Sequence, residues 1–223
     1  MDRVVESGWG DVEAEITAYK DSPYILKMLQ GSLRSVADIF SGGITGEAVD
    51  LGCGDGRAIE IFCNDYPELN WTGLDSSSHA ISAANTRKLA SSFSSQMSFV
   101  ETDFTTNTTQ YDFCLSSNAL HHISTGADFW DAVKDSTKSG GKIYVTDFIR
   151  PDNQSDIDGF ITSLKAQNVY TDTQFWADAE ASFKSCFTLS EINADLSSTG
   201  LSLNARIQDT GLGMSIVEVY GTK

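Results

Sequence analysis

The chain has 223 residues, 40% of them hydrophobic, enough for a full core, and it lacks the apolar run of about 18 residues that a membrane-spanning helix needs. Its net charge of −16 and pI near 4.3 set its surface against nucleic-acid phosphates and anionic membranes, and its 15 Lys and Arg residues form no basic cluster. Cys53, Cys63, Cys114 and Cys186 show no CxxC pair and no zinc spacing, which reads as buried apolar packing with no metal. The opening Met1–Glu6 lacks an apolar signal core, so a cytoplasmic location is expected.

Taken in chain order, residues 1–24 are mixed and aromatic, with Trp9, Tyr19 and Tyr24. From Tyr24 to Phe40 the apolar residues recur at helical spacing, and Gly42-Gly43 ends the run. Strands and helices then alternate: strand 47–51, helix 56–65, strand 71–75, helix 77–91, strand 97–101, strand 111–116, helix 125–137, strand 141–147. Ser139-Gly140-Gly141 reads as the turn into the last of these strands. Such alternation predicts an α/β fold, a Rossmann-like, doubly wound, mostly parallel sheet. Beyond Pro151 the pattern loosens into helical stretches at 156–167 and 173–187. A capping box, Thr188-Leu189-Ser190-Glu191, opens a further helix that Gly200 closes. Leu201–Gln208 and Ser215–Tyr220 read as two last strands in a C-terminal antiparallel hairpin, seven strands in all. One domain over 1–223 is predicted: a helical N-terminal segment (1–45), a core (46–150), a helical lid (151–198, helical from about 155) and the final strands (199–223).

The most specific stretch is Ala48 to Gly56. A strand end meets Asp50, then glycines at 52, 54 and 56 around Cys53, then a helix. The glycines let the backbone turn sharply and leave no side chain between it and a ligand, and the helix start offers unpaired N–H groups. Asp50, and Asp55 beside it, would repel a pyrophosphate. They suit a ligand carrying positive charge and hydroxyl groups. Asp75 ends the next strand, 19 positions after Gly56 and next to Ser76. An acid about 20 residues beyond such a loop is placed to accept bonds from ribose hydroxyls. Asp103 follows the third strand, where it can accept a proton from an exocyclic adenine amine with Phe104 beside the ring.

This ordered set resembles the class I S-adenosylmethionine-dependent methyltransferases, in their small-molecule branch. The matching segments are VDLGCGDG (49–56), GLDSS (73–77), ETDF (101–104), YDFCLSSNALHHI (111–123) and SGGKIYVTDFIRP (139–151). The resemblance implies S-adenosyl-L-methionine as cofactor. Its methionine part would lie on Asp50, Gly52, Cys53, Gly54 and Gly56, its ribose on Asp75 and Ser76, and its adenine ring by Asp103 and Phe104. Ser117 and Asn118 would lie near the methyl group.

Methyl transfer from a sulfonium asks the protein mainly to hold the nucleophile in line. The catalytic candidates are therefore few: His121 or His122 as base or positioning group, and Asp147 as base or as its orienter. Arg150, in a DxxRP ending, could clamp an acceptor carboxylate or simply pair with a neighbouring acid. Trp9, Tyr19 and Trp176 are candidate acceptor contacts, against the plainer alternative of core packing. The leading reading is methyl transfer to a small-molecule acceptor by direct displacement. Alternatives are methylation of a modified tRNA base or a protein, and a cofactor-binding protein without activity. A nicotinamide-linked dehydrogenase is disfavoured by Asp50 and Asp55.

Overall fold

The computed structural model describes residues 1–5, 23–166, 173–209 and 215–223. The helices are α1 (Pro23–Ile39), α2 (Arg57–Asp65), α3 (Ser78–Ala90), α4 (Gly126–Asp135), α5 (Gln154–Ala166), α6 (Thr173–Ser185) and α7 (Leu189–Thr199). The strands are β1 (Gly46–Leu51), β2 (Leu69–Asp75), β3 (Met97–Glu101), β4 (Tyr111–Ser117), β5 (Thr137–Phe148), β6 (Asn204–Asp209) and β7 (Ser215–Thr222). They form one seven-stranded sheet in the order β3-β2-β1-β4-β5-β7-β6. β1 to β5 run parallel, and β7 lies antiparallel to both β5 and β6.

Alternate side chains of the central strands feed two cores, as a sheet covered on both faces requires. Val49, Cys114, Ile143 and Val145 pack with Phe129, Trp130 and Val133 of α4. Ala48, Phe113, Leu115 and Tyr144 pack with Leu29 and Val36 of α1 and Ile59 and Phe62 of α2. At the exit of β5 a third cluster joins Phe148 to Ile157 and Phe160 of α5 and Trp176 and Phe183 of α6. The cover expected over 151–198 therefore divides. α5 and α6 lie over the β5 tip, while α7 sends Ile192 and Leu196 into the core beside α4.

The expected turn at Ser139–Gly141 is instead part of β5. Pairing runs from Tyr111↔Thr137 to Phe113↔Lys142, so residues of β5 bulge without a counterpart on β4. Gly140 takes φ 77, and the bulge is fixed by Gly140 N–H donating to Lys223 O (2.8 Å) and Lys223 N–H donating to Gly141 O (2.9 Å). Other element ends shift by a few residues. The largest shift is at Leu201–Leu203, where Leu201 fills the core before β6 begins. The expected capping box is present: Thr188 Oγ1 accepts from Glu191 N–H (3.3 Å), and Thr188 N–H donates to Glu191 Oε2 (2.7 Å).

Candidate active site

Strand order reverses between β1 and β4, the point at which an open parallel sheet leaves a crevice at its carboxyl edge. The glycine loop leaves β1 there. Gly52 and Cys53 N–H both donate to Leu74 O (2.8 and 3.0 Å), which ties the loop to β2. A side chain at Gly52 would run into Ala119, whereas a Cβ on Gly54, at φ 53, would meet nothing within 4 Å. Gly54 is thus the floor of an open cradle. Gly56, at φ 74, is the N-cap of α2. Cys53 lies buried with its sulfur against Gly73, a packing role that explains why residue 73 carries no side chain.

The acids sit at successive strand tips. Asp50 is 1% exposed, and its Oδ1 has no hydrogen-bond partner among the described residues. Burial, with Asp75 nearby, pushes its carboxyl up to about 8. Asp75 accepts from Gly54 N–H at Oδ2 (2.9 Å) and from Ser77 N–H at Oδ1 (2.9 Å). Burial raises its pKa, and those two bonds hold part of the shift back. Ser76 is exposed beside it. Asp103 Oδ1 caps a short 3₁₀ turn by accepting from Thr105 N–H (2.9 Å) and Thr105 Oγ1–H (2.7 Å). Phe104 is 7% exposed and turns its ring onto Phe129, with centroids 6.0 Å apart.

Arg87, which sequence reasoning did not single out, holds the loop from α3. Its Nη2–H donates to Asp55 Oδ2 (2.5 Å), its Nε–H to Asp55 O (2.9 Å) and its Nη1–H to Glu60 (3.0 Å). The repulsive charge expected of Asp55 is therefore largely balanced by this guanidinium.

At the β4 tip Asn118 has φ 57, the left-handed region that non-glycine residues enter at a cost, and such strain collects at functional sites. Ser117 Oγ, Asn118 Oδ1 and, on β5, Thr146 Oγ1 are buried with no partner among the described residues. These three atoms and Asp50 Oδ1 are buried polar groups towards the carboxyl ends of β1, β4 and β5 that a polar ligand could satisfy.

The next turn carries the histidines. His121 is 1% exposed, and its Nδ1 lies 2.7 Å from Asp147 Oδ1. Its N–H donates to Asp147 Oδ2 (3.0 Å), and Phe148 N–H donates to Asp147 Oδ1 (2.6 Å). Asp147 thus accepts two main-chain donors, and the acceptor oxygen it turns to the imidazole favours the Nδ1–H tautomer, with the lone pair on Nε2. His122 lies against His121, ring centroids 4.0 Å apart and planes tilted by 44°. Cys186 joins His121 and Asp147 with donor atoms all within 4.8 Å. The 2.7 Å Nδ1···Oδ1 separation is that of a hydrogen bond, shorter than the roughly 3.3 Å between two ligands on a tetrahedral zinc.

Arg150, the expected carboxylate clamp, is 7% exposed and already engaged. Nη1–H donates to Cys186 O (2.9 Å) and Nη2–H to Glu191 Oε1 (2.8 Å). Burial raises the Glu191 carboxyl, but the bonds from Arg150 and Thr188 outweigh it and leave it below its ordinary value. Arg150 therefore ties the β5 exit to α7, the neighbouring-acid alternative of the sequence reading. Trp176 lies in the apolar cluster at the β5 exit with Phe148 and Phe183. Trp9 and Tyr19 lie outside the described residues.

A glycine loop, acids at successive strand tips and a seven-stranded sheet with its last pair reversed together resemble the fold of the class I S-adenosylmethionine-dependent methyltransferases. Residues 49–143 match the family model described as "Methyltransferase domain". No curated protein matches the chain in sequence. Among solved structures, the plantazolicin methyltransferase BpumL in complex with SAH is similar over 96% of this chain and 92% of that one, at 16% identity and TM-score 0.70. BpumL with a triazolic desmethylPZN analog and SAH is similar over 95% and 89%, at 16% identity and TM-score 0.69. Phosphoethanolamine N-methyltransferase 2 of Haemonchus contortus, with phosphomonomethylethanolamine and S-adenosylhomocysteine, is similar over 90% of this chain and 44% of that one, at 14% identity and TM-score 0.64. Identities this low bear on the fold alone. No helix of the described residues is long and apolar enough to cross a membrane.

Proposed function

We propose that this chain transfers the methyl group of S-adenosyl-L-methionine to a small-molecule acceptor at the carboxyl edge of β4 and β5, with His121 as the acceptor's base. The observation that carries the reading is the buried His121–Asp147 pair, Nδ1 to Oδ1 2.7 Å, one turn beyond the strained Asn118. The cradle fits the cofactor. The lone Oδ1 of Asp50 suits its ammonium group, the open floor at Gly54 its methionine part, and Asp75 its ribose hydroxyls. Asp103 and Phe104 would border the adenine ring, and Ser117 and Asn118 the methyl group. Bound there, the cofactor supplies a methyl carbon on sulfonium that an acceptor lone pair can displace.

The chain's own residues do the rest. Asp147 fixes the tautomer and direction of His121 and stabilises its protonated form. His121 Nε2 takes the acceptor's proton. His122 packs against the ring, and α5 and α6 pack on Phe148 at the β5 exit beside it. The −16 charge favours a metabolite over RNA. Two of the similar structures hold small acceptor-like molecules, which agrees with that choice for this chain.

The test is methyl transfer from labelled S-adenosylmethionine to a metabolite panel, bulk tRNA and protein in parallel. Label is expected in a metabolite. His121→Gln should lower kcat by about 10²–10⁴-fold while leaving S-adenosylhomocysteine affinity unchanged. Label in tRNA or protein alone would overturn the acceptor class. An unchanged kcat in His121→Gln would overturn the base.

A further inference from the structure

We propose that Arg3 is a positioning residue for methyl transfer, locking the main chain of the 121–124 turn, and with it the His121 imidazole, against the chain at 185–187. This rests on the reading of His121 as base.

Four hydrogen bonds run from its guanidinium, and every acceptor is a main-chain carbonyl. Nη2–H reaches His121 O (3.2 Å) and Ile123 O (2.6 Å), and Nη1–H reaches Ser124 O (2.8 Å). On the other side Nε–H reaches Ser185 O (2.6 Å), and the guanidinium carbon lies 3.9 Å from the centre of the Phe187 ring. Val4 N–H, next in the chain, donates to Lys184 O (3.1 Å), which keeps this strand of main chain laid along the end of α6.

These bonds answer a local need. The turn Leu120–His122 is a single 3₁₀ turn, too short to satisfy its own carbonyls. Asp147 holds His121 at its amide N–H and at Nδ1. Arg3 holds the same residue at its carbonyl. The peptide units on both sides of His121 are thus each held by a hydrogen bond, and the ring by one more. A one-ångström displacement of the ring would take Nε2 out of line with an acceptor held in front of the methyl group. The fork geometry matters here: a lysine ammonium offers three donors at one point and cannot span carbonyls on two separate segments. Burial lowers the Arg3 pKa from its ordinary value, with Glu191 pulling it up and Arg150 pushing it down. Arg3 thereby joins the His121–Asp147 pair to the Arg150–Glu191 pair through the chain at 185–187.

The experiment compares the full chain with Arg3→Met and Arg3→Lys, each labelled with ¹⁵N-histidine. Four quantities are read: thermal midpoint, S-adenosylhomocysteine affinity by calorimetry, the His121 ring-nitrogen shifts by NMR, and kcat and KM on whichever acceptor the metabolite panel identifies. In Arg3→Met the cofactor affinity should stay within about twofold, because Arg3 touches no part of the glycine cradle. The His121 Nδ1–H signal should broaden or move, and kcat should fall by about 10²-fold with KM little changed. Arg3→Lys keeps charge and stem, so it serves if the Met variant fails to fold. It should show the same change in the His121 signal. A lowered midpoint with the His121 signal and kcat both unchanged would reduce Arg3 to a structural staple and overturn the proposal. The NMR arm needs no acceptor. A wild-type rate in His121→Gln would remove the base while leaving the Arg3-to-ring coupling to be judged by the spectra.

Discussion

Asp50 is a carboxyl group with almost no water and a second acid at the next strand tip, so the cofactor-free protein holds it protonated near neutral pH. A ligand cation favours the carboxylate, and binding must then release a proton. The sign follows. Below about 8 the free protein carries the extra proton that the complex lacks, so affinity for S-adenosylmethionine should rise with pH. The rise approaches tenfold per pH unit and levels off above about 8. Stability of the free protein runs the other way. Its folded state binds this proton more tightly than the unfolded chain, so stability is lost as pH rises from the ordinary carboxyl range towards about 8. Calorimetry in two buffers of different ionisation enthalpy should report proton release in the wild type and none in Asp50→Asn. A flat pH profile in the wild type would sink the account.

At Gly54 the same cradle gives a test of shape. Valine there would be strained at φ 53, and its branched side chain would project into space that nothing of the protein occupies within 4 Å. Gly54→Val should fold with a modest loss of stability and bind S-adenosylhomocysteine too weakly to measure. Native circular dichroism with unchanged affinity would place the cradle elsewhere.

Among the elements, α7 is tied to the exit of β5. Thr188 caps α7 while Glu191, three residues on, caps back and also receives Arg150. One carboxylate therefore holds the start of a helix and the exit of β5. Thr188→Ala removes the cap and should cost about 1 kcal/mol of stability. Glu191→Ala should cost more, because it also leaves the Arg150 guanidinium, 7% exposed, without its carboxylate. Chemical denaturation of the two variants checks the order. A Glu191 loss no larger than that of Thr188 would show that the ion pair contributes nothing beyond the cap.

Across the whole molecule, the sheet is held between two cores of different make-up. The face beneath α1 and α2 is an aromatic cluster around Phe113, which meets Trp71 edge-on at 5.8 Å and Phe40 edge-on at 6.2 Å. Phe113→Ala should cost about 3–5 kcal/mol, since such a close-packed site cannot collapse onto the cavity. A thermal midpoint lowered by roughly 6–20 °C, with His121 NMR signals unmoved, is the expected result. The acidic surface makes a second whole-molecule statement: activity on a neutral or compact acceptor should change little between low and moderate salt, whereas RNA affinity would collapse.

Read from sequence alone, the fold and the glycine loop were legible because both are written in contiguous residues. Apolar alternation sets the strands, glycine spacing sets the loop, and an acid at or beside the end of β1, β2 and β3 falls at the carboxyl edge of a parallel sheet. The helix cap at Thr188 is equally local. The Ser139–Gly141 bulge misled for the same reason, since its glycines look like a turn until Lys223 is seen to pair with them. What only the tertiary structure decided are the partnerships of long side chains. Asp147 finds His121 across 26 residues, Arg87 finds Asp55 across 32, Arg150 finds Glu191 across 41 and Arg3 finds Ser185 across 182. Nothing in the local sequence around an arginine names its acceptor. In a chain with 31 acids many partners are available, and strand order and helix packing select among them.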